Sequence, residues 1–355
     1  KTAYEIPKRD WNSDVCSSDL ALKGTPYSRT LNYFHGLQKL GLNADWLEIN
    51  LSNLGGSIRF LRKRLKEHPG AVVIASPSHI IAPLVFLLTL KRPILDAGWP
   101  LLDGVISSRR AFGFLGLNFI KTYLIDLLAF HCSRLVLLES EQQVSYSCRT
   151  FFLSRKKAKV LFTGCDEVRF LNSVPGKDDG AKVVLFRGGN QSEAGIDLLM
   201  RLMNDPEFAS HGISFVVISR GISPAAAKRS NVKIISEFTS DEEISSYYRS
   251  SWLTLGQLSS HSRLKRTIPH KFFEAAFFSR NYLTSDSPIM KKFADNGEVS
   301  IFRGDNEEAL KRAIIELVKK DKRLDVGTRL GNRYQKEFSQ TVLSHKFLNL
   351  VLTKD

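Results

Sequence analysis

Lys271 and Glu274 stand three residues apart in RTIPHKFFEAAFF (266–278), an ammonium and a carboxylate at the mouth of an otherwise apolar helix. Just upstream, the strand-like WLTLG opens into a loop that carries Arg263, Lys265 and Arg266. A second cluster follows the strand-like VVLF: Arg187, Gly188, Gly189 and Asn190, ahead of a helix whose pattern starts near Glu193. Cations gathered with a glycine turn at a helix N-terminus suit a phosphate, because glycine lets the backbone approach and the first turn has free N–H groups. Helix physics accounts for the first pair without any ligand. A carboxylate in an early turn gains about 0.3–1 kcal/mol from the helix dipole, and an i,i+3 pair with Lys271 adds about 0.2–0.5 kcal/mol. Pro269 suits a first helical position, where its missing N–H costs nothing. Phe273 and Phe277, four residues apart, read as a core stripe.

Other chemistries are excluded by spacing. Gly188, Gly189 and Gly195 do not form GxGxxG, and no GxxxxGK[ST] occurs anywhere, so a P-loop nucleotidase is not expected. The cysteines, Cys16, Cys132, Cys148 and Cys165, lack metal-ligand spacing, which argues for a reducing compartment and against a disulfide framework.

The elements that must position these residues alternate. From residue 21, helical SRTLNYFHGLQKLG is followed by strand-like ADWLEI, the basic helix SIRFLRKRLKE (57–67), and the apolar strand AVVIASP. Then come helix IIAPLVFLLTL, strand RPILDAG, a long helix over 110–131, strand RLVLLES, a helix near 141–153 and strand AKVLFTG. Short continuous apolar runs between helices are the mark of parallel strands covered on both faces. The polar stretch 171–182, rich in Pro, Gly and Asp, reads as a linker, after which the alternation restarts. The expected fold is therefore α/β, with two Rossmann-like doubly wound parallel-sheet domains facing a cleft: an N-terminal domain over 21–170 and a second over 183–335. A C-terminal helix over 336–355 is expected to pack back on the first domain. In such sheets ligands bind beyond the carboxyl ends of the strands.

The chain of 355 residues carries 51 Lys and Arg against 36 Asp and Glu, a net charge of +15 that favours an anionic partner. No helix-turn-helix, RNA-binding-sheet or zinc signature supports nucleic acid as that partner. No run reaches the roughly 18–20 apolar residues that span a bilayer. Residues 9–20, RDWNSDVCSSDL, resemble a phrase that sequencing-adapter bases leave in translated assemblies. Residues 1–20 are accordingly read as a non-native or disordered start.

The second half resembles the retaining glycosyltransferases of the GT-B fold, the large family-four group of the kind found in polysaccharide assembly. VVLFRGGNQSEAGIDLLMRLM looks like that family's strand, glycine turn and KGxDxLL helix. NVKIISEFTSDEEISSYYRSSWLTLGQ is similar to its NVxFxGxVxxEELxxLYxxADVxLxPS, and IPHKFFEAAFFSRNYLTSDSP to its PxKxxEAxAxGxPVIxSD. VLFTGCDEVRF is similar to the PNGVDxxRF that closes the first domain. The resemblance implies a transferase that moves a sugar, with retained configuration, from a nucleotide-diphosphate sugar to a glycan or lipid-linked acceptor, in cell-surface polysaccharide synthesis. It implies no cofactor and no metal. Glu274 would hold the donor's ribose hydroxyls, Lys271 would lie by the diphosphate, and Gly188 and Gly189 would sit against the phosphates. Asp96 would face the transferred sugar, and Gly24–Thr25 would form the acceptor-side loop. The family's E-x7-E has Arg266 in place of its first glutamate, its GR reads Gly188–Gly189, and the lysine of KG is Ala194. Arg187, Lys265, Arg266 and Lys271 are the cations near enough to substitute. These departures motivate one alternative, a non-catalytic nucleotide-sugar binder, and a sugar-nucleotide epimerase on the same fold is a second. The basic helix 57–67 reads as a solvated face or as a contact with anionic membrane, consistent with a cytoplasmic protein peripheral to the inner face of the plasma membrane.

Overall fold

The structure, a computed structural model, describes residues 28–42, 53–67, 71–108, 116–171, 181–319 and 325–352. It divides into two compact units: residues up to Ile106, Arg110–Leu161 and the chain from Ser344 form the first, and Phe162–Leu343 form the body of the second.

In the first unit, helices α1 (Ser28–Lys39) and α2 (Leu54–Glu67) precede β1 (Val73–Ala75), α3 (Ile81–Thr89), β2 (Ile94–Gly98), α4 (Leu101–Ser108), α5 (Leu117–Cys132), β3 (Leu135–Leu138), α6 (Glu141–Thr150) and β4 (Ala158–Val160). The strands pair in parallel in the order β1-β2-β3-β4. Every residue of β2 and β3 is buried, so β3 reads as an unbroken apolar run and β2 departs from one only at Asp96. The strand expected at ADWLEI, the Gly24–Thr25 loop and residues 1–20 lie outside the described residues, as do residues 172–180 of the expected linker. The long helix expected over 110–131 differs at its start: α5 begins at Leu117, and a separate α4 ends at Ser108. The first turn of α4 is held by a carboxylate 25 residues away, since Asp126 of α5 accepts from the amides of Leu101 (3.1 Å) and Leu102 (2.8 Å). No local capping residue announces such a helix.

The second unit runs α7 (Val168–Leu171), β5 (Lys182–Arg187), α8 (Ile196–Leu202), α9 (Pro206–Ser210), β6 (Ile213–Ile218), β7 (Val232–Ile235), α10 (Asp241–Ser250), β8 (Leu253–Leu255), α11 (His270–Phe277), β9 (Asn281–Ser285), α12 (Pro288–Asp295), β10 (Ser300–Phe302), α13 (Glu307–Lys319) and α14 (Asp325–Arg333). All pairings are parallel, in the order β10-β9-β8-β5-β6-β7. The chain thus winds outward from β5 through β6 and β7, then returns to β5's other edge at β8 and winds the opposite way. Alternate residues of each strand feed opposite faces. Val184, Phe186, Phe215 and Val217 join the core under α8 and α13, while Leu185 and Ile218 join the core under α10, α11 and α14.

Local chemistry sets the helix ends. Ser240 and Glu243 form a reciprocal capping box on α10, and Ser287 caps α12 ahead of Pro288. Pro269 sits one place earlier than expected, as the extended residue before α11 (φ −61°, ψ 139°). The helix expected from Glu193 is split: Ser192–Ala194 form a 3-10 turn, and Gly195 in the left-handed region (φ 65°) separates it from α8. The last helix, α15 (Gln340–Leu352), begins in the second unit, and from Ser344 its residues belong to the first. There Phe347 stacks on Tyr33 at 5.3 Å, and Arg134 donates to the Val351 carbonyl at 2.8 Å.

Candidate functional site

The winding reverses between β5 and β8, and it is at the carboxyl ends of two such strands that doubly wound sheets form a ligand crevice. Phe186 pairs with Leu255, so Arg187–Gly188 and Gly256 emerge side by side. Lys271, in the first turn of α11, reaches into this place. Its Nζ donates to the Gly256 carbonyl (3.0 Å) and lies 4.2 Å from the centre of the Phe186 ring. A Cβ on Gly188 would stand 3.1 Å from that Nζ, a tight contact that would push the ammonium aside by a few tenths of an ångström.

Among the described residues no carboxylate pairs with the Lys271 ammonium. Burial and the neighbouring Arg187 charge lower its pKa to about 7, against the weaker pull of Glu274 and Glu193. Helix α11 also starts without a side-chain cap, leaving the positive end of its dipole at the same spot. An ammonium in a low-dielectric setting, without a carboxylate partner and beside a helix N-terminus, has the chemistry that suits an anion.

Behind Lys271, Glu274 is fully buried. Arg187 Nη1 donates to both of its oxygens (2.6 and 2.5 Å), Tyr248 donates its hydroxyl to Oε2 (2.6 Å), and His270 Nδ1 stands 3.2 Å from Oε1. Burial alone would raise this carboxyl's pKa, but Arg187, His270 and Tyr248 outweigh it and hold Glu274 well below the ordinary carboxylate range. The i,i+3 partnership of Glu274 with Lys271 read from the sequence is replaced by this set, in which the histidine one turn earlier faces the carboxylate.

The two loops of the crevice are fastened to each other. Ser259 Oγ donates to the Glu193 carbonyl (2.9 Å), Leu258 N–H to the Ala194 carbonyl (3.1 Å), and Arg263 Nη1 to Glu193 Oε1 (2.9 Å). At Gly195 a Cβ would come within 2.7 Å of the Ser259 nitrogen, so the loops touch backbone to backbone. Lys265 is exposed at the end of the 3-10 turn Ser262–Lys265, and half-buried Arg266 follows it, its N–H on the Arg263 carbonyl (2.9 Å). Gly189 is placed against Gln191, whose carboxamide would lie 2.4 Å from a Cβ there. The structure therefore gathers Arg187, Gly188, Lys271 and Glu274 at one strand end, with Lys265 and Arg266 on the adjoining loop.

In the first unit Asp96 lies at the carboxyl end of β2, and Arg29 of α1 closes over it. Arg29 donates to Asp96 through Nε (2.9 and 3.1 Å) and Nη2 (2.7 Å), and through Nη1 to the Leu161 carbonyl (2.8 Å). Burial disfavours the guanidinium's charge, yet Asp96 and its neighbours more than restore it, and the pKa of Arg29 lies above its usual value. Close by in sequence, His79 and Asp126 form a wholly buried pair 3.8 Å apart. Burial lowers the histidine to about 4 and raises the carboxyl to about 7. Tyr248, His270, Glu193, Arg29 and this pair were not singled out by sequence reasoning. Only His270 had a visible signal, its i,i+4 spacing from Glu274.

No protein-family model matches the chain, and no curated protein matches it. Solved structures do. HepE from Anabaena in complex with UDP-glucose superposes with a TM-score of 0.65 at 9% identity, over 92% of this chain and 96% of HepE. The chain has the two-domain, Rossmann-like GT-B fold. Sucrose-phosphate synthase from Thermosynechococcus elongatus (TM-score 0.60, 11% identity, 85% of this chain and 79% of that one) shares it. So does a glycosyltransferase from Rickettsia africae (0.58, 14%, 89% and 86%). Identities this low establish the architecture and leave the chemistry to the residues present.

Proposed function

We propose that this GT-B protein is a glycosyltransferase that takes a nucleotide-diphosphate sugar as donor and passes the sugar to a glycan or lipid-linked acceptor, with retention, in surface-polysaccharide synthesis. The observation that carries the donor site is Lys271, an unneutralised ammonium at the β5/β8 crevice beside Gly188. Transfer breaks the bond between the anomeric carbon and the β-phosphate oxygen, and forms one to an acceptor oxygen, which loses its proton. The departing diphosphate gains negative charge, and a fixed cation there stabilises the transition state more than the ground state. In this reading Lys271 supplies that cation with the α11 N-terminus behind it, and the reaction needs no metal. Lys265 and Arg266 border the same loop. Glu274 acts by holding Arg187 and His270, and a ribose hydroxyl reaching it would exchange with one of their hydrogen bonds. Asp96 is assigned to the transferred sugar, Gly24–Thr25 to the acceptor side, and the exposed cations of α2, Arg59, Arg62 and Lys63, to an anionic membrane surface.

The test is a thermal-shift screen against UDP-, GDP-, ADP- and dTDP-sugars, followed by turnover of the sugar that stabilises the protein. A ligand at about 100 times its Kd adds about 2.7 kcal/mol of stability. Lys271→Ala is expected to lose that shift and to lower turnover by about 100-fold. Stabilisation by no nucleotide sugar would remove the reading.

A second reading, a non-catalytic nucleotide-sugar binder, is favoured by one observation: the two carboxylates assigned to the transferred sugar and the donor, Asp96 and Glu274, are both bound by arginines. Donor binding without hydrolysis or transfer to any acceptor would select it.

A further inference from the structure

Helices α3 and α5 pack on each other, and both are apolar on the side turned away from the core as well as on the side facing it. Such helices are ordinarily buried all round. Here Leu117 is 86% exposed, and Ile120, Leu124 and Leu128 follow it along one face of α5 at 48%, 47% and 52%. That face runs for about 16 Å at 1.5 Å per residue. On α3, Leu87 is 71% exposed, and Leu90 just past its end is 81% exposed.

Leu90 adds a separate argument. It caps α3 in the left-handed region (φ 57°), a conformation that is strained for a residue with a Cβ and that glycine adopts freely. The side chain kept there reaches solvent, so packing within the fold does not offset the strain.

The exposed charges of this segment have one sign. Between residues 71 and 133 the acidic residues are Asp96, Asp103 and Asp126, and all three are buried. The exposed Lys91, Arg92 and Lys121 lie on or beside the leucine-bearing helices, and Arg92 rests over the Phe86 ring. A second copy of the chain meeting this face symmetrically would set these cations against themselves, with no surface carboxylate on the segment to pair with. An anionic lipid bilayer satisfies both features, taking the leucines into the acyl boundary and the cations at the headgroups.

We infer that α3 and α5 form a membrane-docking face that seats the first unit on an anionic lipid surface. This site is distinct from α2 and stands independently of the donor reading. The full chain is to be sedimented with vesicles of phosphatidylcholine alone and of phosphatidylcholine with phosphatidylglycerol. Binding is expected only to the anionic vesicles, and K91Q/R92Q/K121Q is expected to weaken it by roughly 100-fold, about fivefold per charge. L124S/L128S is expected to weaken it by about tenfold or more while lowering the melting temperature only slightly, since about half of each side chain is exposed. Hydrogen exchange on the unsubstituted chain gives a readout independent of variants, with protection by vesicles expected over Ile81–Arg92 and Leu117–Cys132. Three results would overturn the inference: no vesicle binding, binding lost in R59Q/R62Q/K63Q but kept in both other variants, or a dimer that L124S/L128S dissociates.

Discussion

At the scale of single residues, the protonation of Lys271 ties stability and ligand binding together with opposite signs. Its pKa is about 7 in the folded protein and 10.5 ordinarily. Between those values the unfolded chain holds a proton that the folded one has released, so stability rises with pH across this window. The ammonium that would meet a diphosphate is lost over the same range. The melting temperature of the ligand-free protein is therefore expected to rise from pH 7 to about 9.5, while nucleotide-sugar affinity falls. Lys271→Met is expected to flatten both trends, and melts and titrations at stepped pH check them. Lys271 was visible in the sequence because a cation in an apolar helix start stands out. Its setting was not, because Arg187 and Tyr248 approach Glu274 from 87 and 26 residues away, and no local pattern encodes that convergence.

At the scale of elements, the legible parts are those whose signal is local. The runs around β5, β6 and β7 announce strands, and Ser240 with Glu243 announces the start of α10. What escaped depends on distant partners: α4 is capped by Asp126, and the 3-10 turn and left-handed Gly195 break what reads as one helix from Glu193. Gly195 is also where the two crevice loops meet. Gly195→Ala would add a strained φ, costing about 1–2 kcal/mol, and would push its Cβ into the Ser259 backbone. The expected result is a lower melting temperature together with a donor affinity reduced by about tenfold or more, as the loops part around Lys271. An unchanged affinity in a folded variant would show that the fastening does not position the site.

At the scale of the whole molecule, the restart of alternation near residue 182 made two α/β units legible. The winding order was not, since strand sequence says nothing of which edge a returning strand joins. The first unit draws on two distant stretches, with Phe347 on Tyr33 and Arg134 on Val351. A chain ending at Leu343 is expected to lose protection of the first unit in hydrogen exchange, while the second unit keeps its own core and its nucleotide-sugar binding. The same division sets an order of events on the ribosome. About 180 residues separate Leu161 from Phe347, on the order of 10–40 s of synthesis at typical rates. Through that interval the strands of the first unit have emerged without the aromatic ring that stacks on Tyr33, whereas the body of the second unit is one uninterrupted stretch. The half of the protein made first is thus the half completed last, and its apolar surfaces wait longest for their final partner.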